Sequence, residues 1–406
     1  MIQKQTVLIL DAGASAHLGF PLGKTLIDNI VKLVYSESHG FRRSLNGKVF
    51  EEGKANSDLL SAFLNLAQKK DGTHYSPEDV KDFAQRLQKA QSPSIDFFLE
   101  KNPQYGLLGK ICIAFCISRF EDETSKQYAP WNYFHEIGGA DLADFGWYRY
   151  LWHKMLEGCE TLDALKKNKI TVITFNYDRS LEYYLFRAAQ NFFGIDDGNA
   201  VAQVFESVRI KHVYGKLGRL PWENSLEKLT GDFNPFNSLS LKEFFHFVGD
   251  LGEYGMSAST IPNQEGLLSQ DKLVCLLDER NQFVSKFKQV ANEIKIFSET
   301  VDEQKKKEYF NDINKAEKVY FLGFGYHDLN MKALGLSGEC KCGDGSQVFG
   351  TAVNMEDIEV DLKKYSLCGM FGRNPKQMDI RNQWENINKP DSCKIKSFFK
   401  NVKPLE

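Results

Sequence analysis

The feature that most constrains the fold of this 406-residue chain is an apolar run followed by small residues and an amphipathic segment. Residues 6–10 read TVLIL, a continuous apolar run typical of a parallel strand that is buried on both faces. The small-residue turn DAGAS follows at 11–15. Residues 24–36 then carry apolar side chains at helical spacing. Strand, turn and helix in this order predict the opening unit of an α/β fold.

Four later runs continue this pattern. They are ITVITFNYD (170–178), VRIKHVYGKLG (208–218), KVYFLGFGYHD (318–328) and QVFGTAVN (347–354). Each is rich in β-forming residues and ends in Gly, Asn or Asp, so each strand leads into a polar or flexible loop. Ligands bind at the carboxyl edge of open parallel sheets, so we expect these loops to meet at one site. The sequence therefore predicts a Rossmann-like parallel sheet with helices on both faces.

The alternation of strands and helices is interrupted between residues 40 and 165, where the sequence is typical of helices. Within this stretch, Ser76 and Asp79 stand at the positions of a capping box. The predicted organisation is a Rossmann domain of residues 1–39 and 166–360, a large helical insertion at 40–165, and a C-terminal extension at 361–406.

Composition limits the classes of protein that fit. The formal net charge of -3 is too small to indicate nucleic acid or a membrane surface as a partner. The sequence has no apolar run long enough to span a bilayer and no signal-peptide pattern, so we expect a soluble, cytoplasmic protein without a membrane partner. The eight cysteines include no CxxC pair, and Cys340 and Cys342 have no second ligand pair nearby. We therefore predict no zinc ribbon and no metal.

Polar residues at the first two strand ends supply candidate chemistry. Gly13, Ala14 and Ser15 leave the backbone bare enough for peptide N–H groups to contact a phosphate; alternatively, they form a plain tight turn. Asn176 and Asp178 could hold a ribose hydroxyl, a water or a carboxamide; alternatively, they cap the following helix.

The third strand carries His212 and Tyr214, which are two residues apart and so are expected to share one face. The histidine could accept a proton near neutral pH, and the tyrosine phenol could donate or accept one. The alternative is that both are polar tips of a half-buried strand.

In chain order these stretches resemble the motifs of SIR2-like proteins. The matching stretches are LDAGAS and PLG within 10–23, SIDFFL (94–99), TFNYD (174–178), HVYGKLG (212–218), FLGFG (321–325) and VFGTA (348–352). They are most similar to the bacterial SIR2-like NAD hydrolases of antiphage defence, including those encoded beside a HerA-type ATPase or an Argonaute protein. Deacylating sirtuins resemble one another in a zinc module of two CxxC pairs, which this chain lacks. The resemblance therefore implies attack by water rather than by an acyl oxygen.

The resemblance also implies roles for individual residues. Asn176 would orient the attacking water or the ribose, Asp178 would lie at the nicotinamide end, and His212, alone or paired with Tyr214, would be the base. The residues implied to bind NAD+ are Gly13, Ala14 and Ser15 at the pyrophosphate, Pro21, Asp96 and Gly215 elsewhere in the pocket, and Gly323, Gly325, Gly350 and Thr351 around the adenosine half.

Two positions depart from the family pattern. The family has a histidine directly before the glycine that follows the third strand, whereas this chain has Tyr214. Asp11 stands where the first glycine of the turn is usual. Because a carboxylate repels a pyrophosphate, we expect Asp11 to point away from the phosphates.

The function implied by the resemblance is hydrolysis of NAD+, the substrate, to nicotinamide and ADP-ribose without a metal, which would deplete cellular NAD+ in abortive antiphage defence. The alternatives are a non-catalytic module that senses NAD or ADP-ribose, and a protein deacylase or ADP-ribosyltransferase. The resemblance also implies a homo-oligomer that is regulated by a partner. A HerA-like ATPase is the first candidate for this partner, and an Argonaute protein or a phage trigger ranks second. Partner contacts are expected in 226–270 and after residue 336, and direct binding of nucleic acid stays open.

Overall fold

The fold comes from a computed structural model of the chain. It describes residues 1–35, 42–45, 48–51, 73, 75–128, 146–195, 197–205, 207–218, 220, 290–300, 302–336, 347–353, 357–371, 378–383, 395, 398–399 and 405. The segment 226–270, where partner contacts are expected, and the pair Cys340 and Cys342 lie outside these residues.

Strands and helices alternate along most of the described chain. The strands are β1 (Thr6–Leu10), β2 (Arg42–Leu45), β3 (Lys48–Glu51), β4 (Ile170–Thr174), β5 (Arg209–His212), β6 (Lys318–Phe324), β7 (Gln347–Val353) and β8 (Met378–Gln383). The α-helices are α1 (Gly23–Tyr35), α2 (Pro77–Lys89), α3 (Ile95–Lys101), α4 (Gly106–Tyr128), α5 (Gly146–Leu156), α6 (Ser180–Phe193), α7 (Gly198–Phe205), α8 (Phe297–Thr300), α9 (Glu303–Lys315), α10 (Asp328–Ala333) and α11 (Asp357–Phe371). Two short 3₁₀ turns, Ala12–Ala14 and Ala16–Leu18, connect β1 to α1.

Six strands form one parallel sheet in the order β5-β4-β1-β6-β7-β8. If these six are numbered along the chain, the order is 3-2-1-4-5-6, which is the Rossmann order. Right-handed crossovers put the helices of the two halves on opposite faces of the sheet. The predicted α/β fold with a parallel sheet and helices on both faces is confirmed.

The core of the molecule lies along the central strands. Every residue of β1, β4 and β6 is buried, as expected for apolar runs covered on both faces. The edge strand β5 is only partly buried. The direction of the strand order reverses between β1 and β6, whose carboxyl ends therefore open a crevice at the centre of the sheet.

The predicted insertion contains α2 to α5, and the capping box is confirmed. Ser76 Oγ accepts from Asp79 N at 3.2 Å, and Asp79 Oδ2 accepts from Ser76 N at 2.7 Å. The same stretch also holds the antiparallel hairpin of β2 and β3, whose Val49 and Phe50 favour a strand. Helix α5 packs against the Rossmann part, where Tyr148 Oη lies 2.8 Å from Ser180 Oγ.

The sheet continues beyond residue 360, where the sequence predicted a C-terminal extension. Helix α11 crosses that position, and β8 pairs with β7, with Ile380 beside Gly350. The stretch MDIRNQ of β8 has too few apolar residues to be recognised as a buried strand. In the described part of the chain, none of the helices is long and apolar enough to cross a membrane.

Candidate functional site

A cavity of about 220 Å³ opens at the carboxyl edge of the sheet, beside the point where the strand order reverses. The loops after β1, β4, β5 and β6 line it, together with the start of α3. The predicted residues in its lining are Gly13, Ser15, Pro21, Asp96, Asn176, Asp178, Tyr214, Gly323 and Gly325. The predicted residues that do not line it are Ala14, His212, Gly215, Gly350 and Thr351.

Asn176 follows β4 and is held by its neighbours at several atoms. Its backbone N donates to Thr174 Oγ1 at 3.1 Å, and its side-chain Nδ2 donates to Ser15 Oγ at 3.2 Å. Ser15 also hydrogen-bonds the Asp178 carboxylate. The loops after β1 and β4 are therefore joined by polar side chains that border the cavity.

Asp178 lines the cavity and also serves the start of α6. Its Oδ1 accepts from Ser180 N at 3.1 Å and from Ser180 Oγ. Burial raises the pKa of Asp178, and these hydrogen bonds oppose the rise. Asp178 therefore both caps the start of α6 and lines the cavity, so the two interpretations of this residue are compatible.

Asp11 links the loops after β1 and β6. Its Oδ1 accepts from Ala12 N at 2.9 Å, and its Oδ2 accepts from Gly325 N at 3.1 Å and from Asn330 Nδ2 at 3.3 Å. Burial raises the pKa of Asp11, while these donors and the charge of His327 act in the opposite direction. Both oxygens are therefore engaged by donors of the protein itself.

Gly13 after β1 and Gly323 at the end of β6 are needed for backbone packing. A Cβ on Gly13 would lie 2.7 Å from Gly323 Cα, so the two turns touch. Gly323 has φ of 59°, a left-handed conformation that favours glycine. Its N–H donates to Thr351 Oγ1 at 2.8 Å. Thr351, which is fully buried, therefore stabilises the turn through this hydrogen bond.

Gly215 and Gly350 also have packing reasons to be glycine. A Cβ on Gly350 would overlap Tyr326 Oη, and a Cβ on Gly215 would overlap Glu293 O. Neither glycine lines the cavity. Their spacing in the sequence matches the family motifs, but the reason visible in the fold is close packing.

Asp96 faces the cavity from the first turn of α3, a helix whose first turn is capped by Ser94 Oγ accepting from Phe97 N at 3.2 Å. The Tyr177 hydroxyl donates to Asp96 Oδ1. Burial raises the pKa of Asp96 to about 6, and the donor Tyr177 only partly offsets this. A carboxylate with such a pKa in a cavity is suited to accept a proton near neutral pH.

His212 and Tyr214 have different surroundings, since Tyr214 lines the cavity and His212 does not. Strand β5 ends at His212, so the strand alternation does not reach Tyr214. The Tyr214 hydroxyl donates to Asn330 Oδ1 at 2.8 Å, and burial raises the pKa of this phenol. The His212 side chain is 7% exposed, and its Nε2 lies 2.7 Å from Glu182 Oε1 in α6.

Sequence reasoning missed His327, which lies in the lining after β6 and is exposed. It follows Tyr326, a buried residue with φ of 51°, whose carbonyl accepts from Lys363 Nζ at 3.1 Å. The available signal was position, because His327 follows a strand and a glycine turn as the other lining residues do.

Among the described residues, no group of three or more His, Cys, Asp or Glu side chains could hold a metal ion. No model of a known protein family matches the chain, and no curated protein matches it. The resemblance to SIR2-like proteins therefore rests on the short sequence motifs alone.

Proposed function

We propose that the chain is an NAD+ glycohydrolase of the SIR2-like type, which cleaves NAD+ to nicotinamide and ADP-ribose. One observation carries the proposal: Asn176 borders a cavity at the point where the order of a Rossmann sheet reverses. Dinucleotides bind at this point in open α/β sheets. The motif resemblance supplies the identity of the dinucleotide and the type of reaction.

The charges around the cavity suit the nicotinamide riboside end of NAD+. Among the described residues that line the cavity, none is Lys or Arg, whereas Asp11, Asp96 and Asp178 are acidic. The nicotinamide ring is cationic, so acidic neighbours favour it over the pyrophosphate. The pyrophosphate would lie beside the backbone of the turn at Gly13 and the start of α1, where peptide N–H groups favour anions.

In the proposed reaction the bond between the ribose carbon and the nicotinamide nitrogen breaks, and its electron pair returns to the ring. Neutral nicotinamide leaves, and the ribose acquires oxocarbenium character. Asn176 orients the water or a ribose hydroxyl, which is a positioning effect. The water oxygen bonds to the ribose carbon and its proton passes to Asp96, which lines the cavity, whereas His212 does not.

The test is to incubate the purified protein with NAD+ and to measure nicotinamide and ADP-ribose by chromatography, alone and with the HerA-like ATPase that the resemblance implies. Asn176→Ala should lower product formation by about 10²-fold or more, because the water loses its orienting group. The matched control is Asn199→Ala, since Asn199 is exposed near the start of α7 and does not line the cavity.

Equal rates for the wild type and Asn176→Ala would contradict the assignment of Asn176. Stoichiometric binding of NAD+ without release of nicotinamide, even with the ATPase present, would favour a sensing module over an enzyme. In cells, depletion of NAD+ by the wild type and its loss in Asn176→Ala would support the proposed cleavage of NAD+.

A further inference from the structure

Both nitrogens of the His212 ring lie beside hydrogen-bond acceptors, and Arg179 contacts one of these acceptors. Its Nδ1 lies 3.0 Å from the backbone carbonyl of Asn176, and its Nε2 lies 2.7 Å from Glu182 Oε1. Arg179 Nε donates to the same Glu182 oxygen at 2.8 Å, and its Nη1 donates to Gly218 O at 3.0 Å. Arg179, Glu182 and His212 have side chains 3%, 13% and 7% exposed, so water contributes little to their pairing.

The acceptors determine the number of protons on the ring. A backbone carbonyl has no hydrogen to give, so Nδ1 must carry one. Burial alone would raise the pKa of Glu182, but the charge of Arg179, whose Nε donates to Glu182 Oε1 at 2.8 Å, opposes this rise and favours the ionised form. Glu182 is therefore a carboxylate and also cannot donate, so Nε2 must carry a second proton.

We infer that His212 is a buried imidazolium that positions Asn176 by donating to its backbone carbonyl, and that it is not the proton acceptor of the reaction. Glu182 in α6 accepts from this ring, and Arg179 holds the same carboxylate oxygen in place. A ring with a proton on both nitrogens has no lone pair to accept another. The protonation and the hydrogen bonds of His212 do not depend on the proposed function, whereas the effect of His212 on catalysis does.

His212 adds a third hydrogen bond to Asn176, at its backbone carbonyl. The residue is already held through its backbone N by Thr174 and through its side chain by Ser15. Without His212 its carbonyl loses a charge-assisted partner, which is among the stronger hydrogen bonds of proteins. The side chain would then sample other orientations at the edge of the cavity, and misplacement of this kind lowers rates by up to about 10²-fold.

The first test needs no substrate. The histidines of the wild type are labelled with ¹⁵N, and their ring nitrogens are observed by NMR at pH 7. We expect one of the eight histidines to carry a proton on both ring nitrogens. Its signals should disappear in His212→Gln and should turn into those of a neutral ring in Glu182→Gln, where the amide can donate to Nε2. Either variant assigns the signals if the other fails to fold.

An unprotonated ring nitrogen on His212 at neutral pH would overturn the inference, whether or not the protein cleaves NAD+. The second test uses that activity. We expect His212→Gln to lower kcat by about 10-fold to 10²-fold, to leave KM nearly unchanged, and to keep the acid limb of the pH profile. Disappearance of that limb would identify His212 as the base and would also overturn the inference.

Discussion

At the scale of single residues, the two partly buried carboxylates Glu182 and Asp96 differ because their partners differ. Glu182 contacts two cations, Arg179 and His212, and its pKa is lowered despite burial. Asp96 has a neutral phenol, Tyr177, as its donor, and burial raises its pKa to about 6. Environments that separate the pKa values of neighbouring carboxylates are typical of sites in which one group is structural and the other exchanges protons.

This difference predicts that Asp96→Asn stabilises the fold at neutral pH. The pKa of Asp96 is about 6 in the folded protein and about 3.9 in an unfolded chain, so folding favours its neutral form. The stabilising contribution of the neutral form is complete below pH 4 and is lost as the pH rises through about 6. Asn keeps an oxygen that can accept from Tyr177. We expect Asp96→Asn to raise the free energy of unfolding by about 3 kcal/mol at pH 7.5, with almost no gain at pH 4.

Urea unfolding between pH 4 and 8 measures this effect, and the chain offers a matched control. Asp82 also accepts from a tyrosine hydroxyl, that of Tyr105, but it is exposed and its pKa is lowered by Tyr105 and Arg86. Asp82→Asn should therefore give no stabilisation at pH 7.5. An Asp96→Asn protein less stable than the wild type at pH 7.5 would contradict the role assigned to burial.

At the scale of secondary-structure elements, the sequence predicted five of the six strands of the sheet, all but β8, and the edge at which their loops meet. Asn176, Asp178 and Gly323 line the cavity because apolar parallel strands deliver their carboxyl ends to one edge. The direction of His212 could not be predicted, because strand periodicity holds only while the strand lasts and β5 ends at that residue. The contact with Glu182 depends on how α6 packs on the sheet, which no local pattern encodes.

The contact between the turn at Gly13 and the turn at Gly323 predicts a large effect for Gly13→Ala. Its Cβ would meet backbone atoms of Gly323, which cannot rotate away, so the sheet ends must separate. We expect a loss of about 1 to 3 kcal/mol in the free energy of unfolding, measured without nucleotide. Gly369→Ala is the control: Gly369 lies in α11, its Cβ would meet nothing within 4 Å, and alanine favours helices. If Gly13→Ala does not change the free energy of unfolding, close packing does not explain this glycine, and phosphate binding is the remaining explanation.

At the scale of the whole molecule, the parts predicted as separate share one hydrophobic core. Trp147 from the predicted insertion and Phe399 from the predicted C-terminal extension belong to the same buried cluster as β1 and β6. Their rings lie 6.3 Å apart, and Phe399 also contacts Tyr320 in β6. Sequence patterns could not predict this, because contacts between residues 147, 320 and 399 depend on the path of the chain between them.

The insertion therefore supports the candidate site directly, and Trp147 is the residue that does so. Its indole Nε1 donates to the carbonyl of Ala14 at 2.8 Å, between Gly13 and Ser15. Trp147→Phe leaves that buried carbonyl without its donor, so we expect a loss of about 1 to 3 kcal/mol in the free energy of unfolding. Because the same turn is proposed to hold the pyrophosphate, the KM for NAD+ should rise as well.

Trp152→Phe separates this effect from the loss of an indole ring. Trp152 lies on the same helix, is 6% exposed and packs edge-to-face on Phe192, away from the turn. Its replacement removes apolar contact only, so stability should fall less than in Trp147→Phe and the KM for NAD+ should not change. Urea unfolding and steady-state kinetics on both variants measure the two quantities. Equal changes in both proteins would mean that α5 acts through bulk packing and not through the hydrogen bond to Ala14.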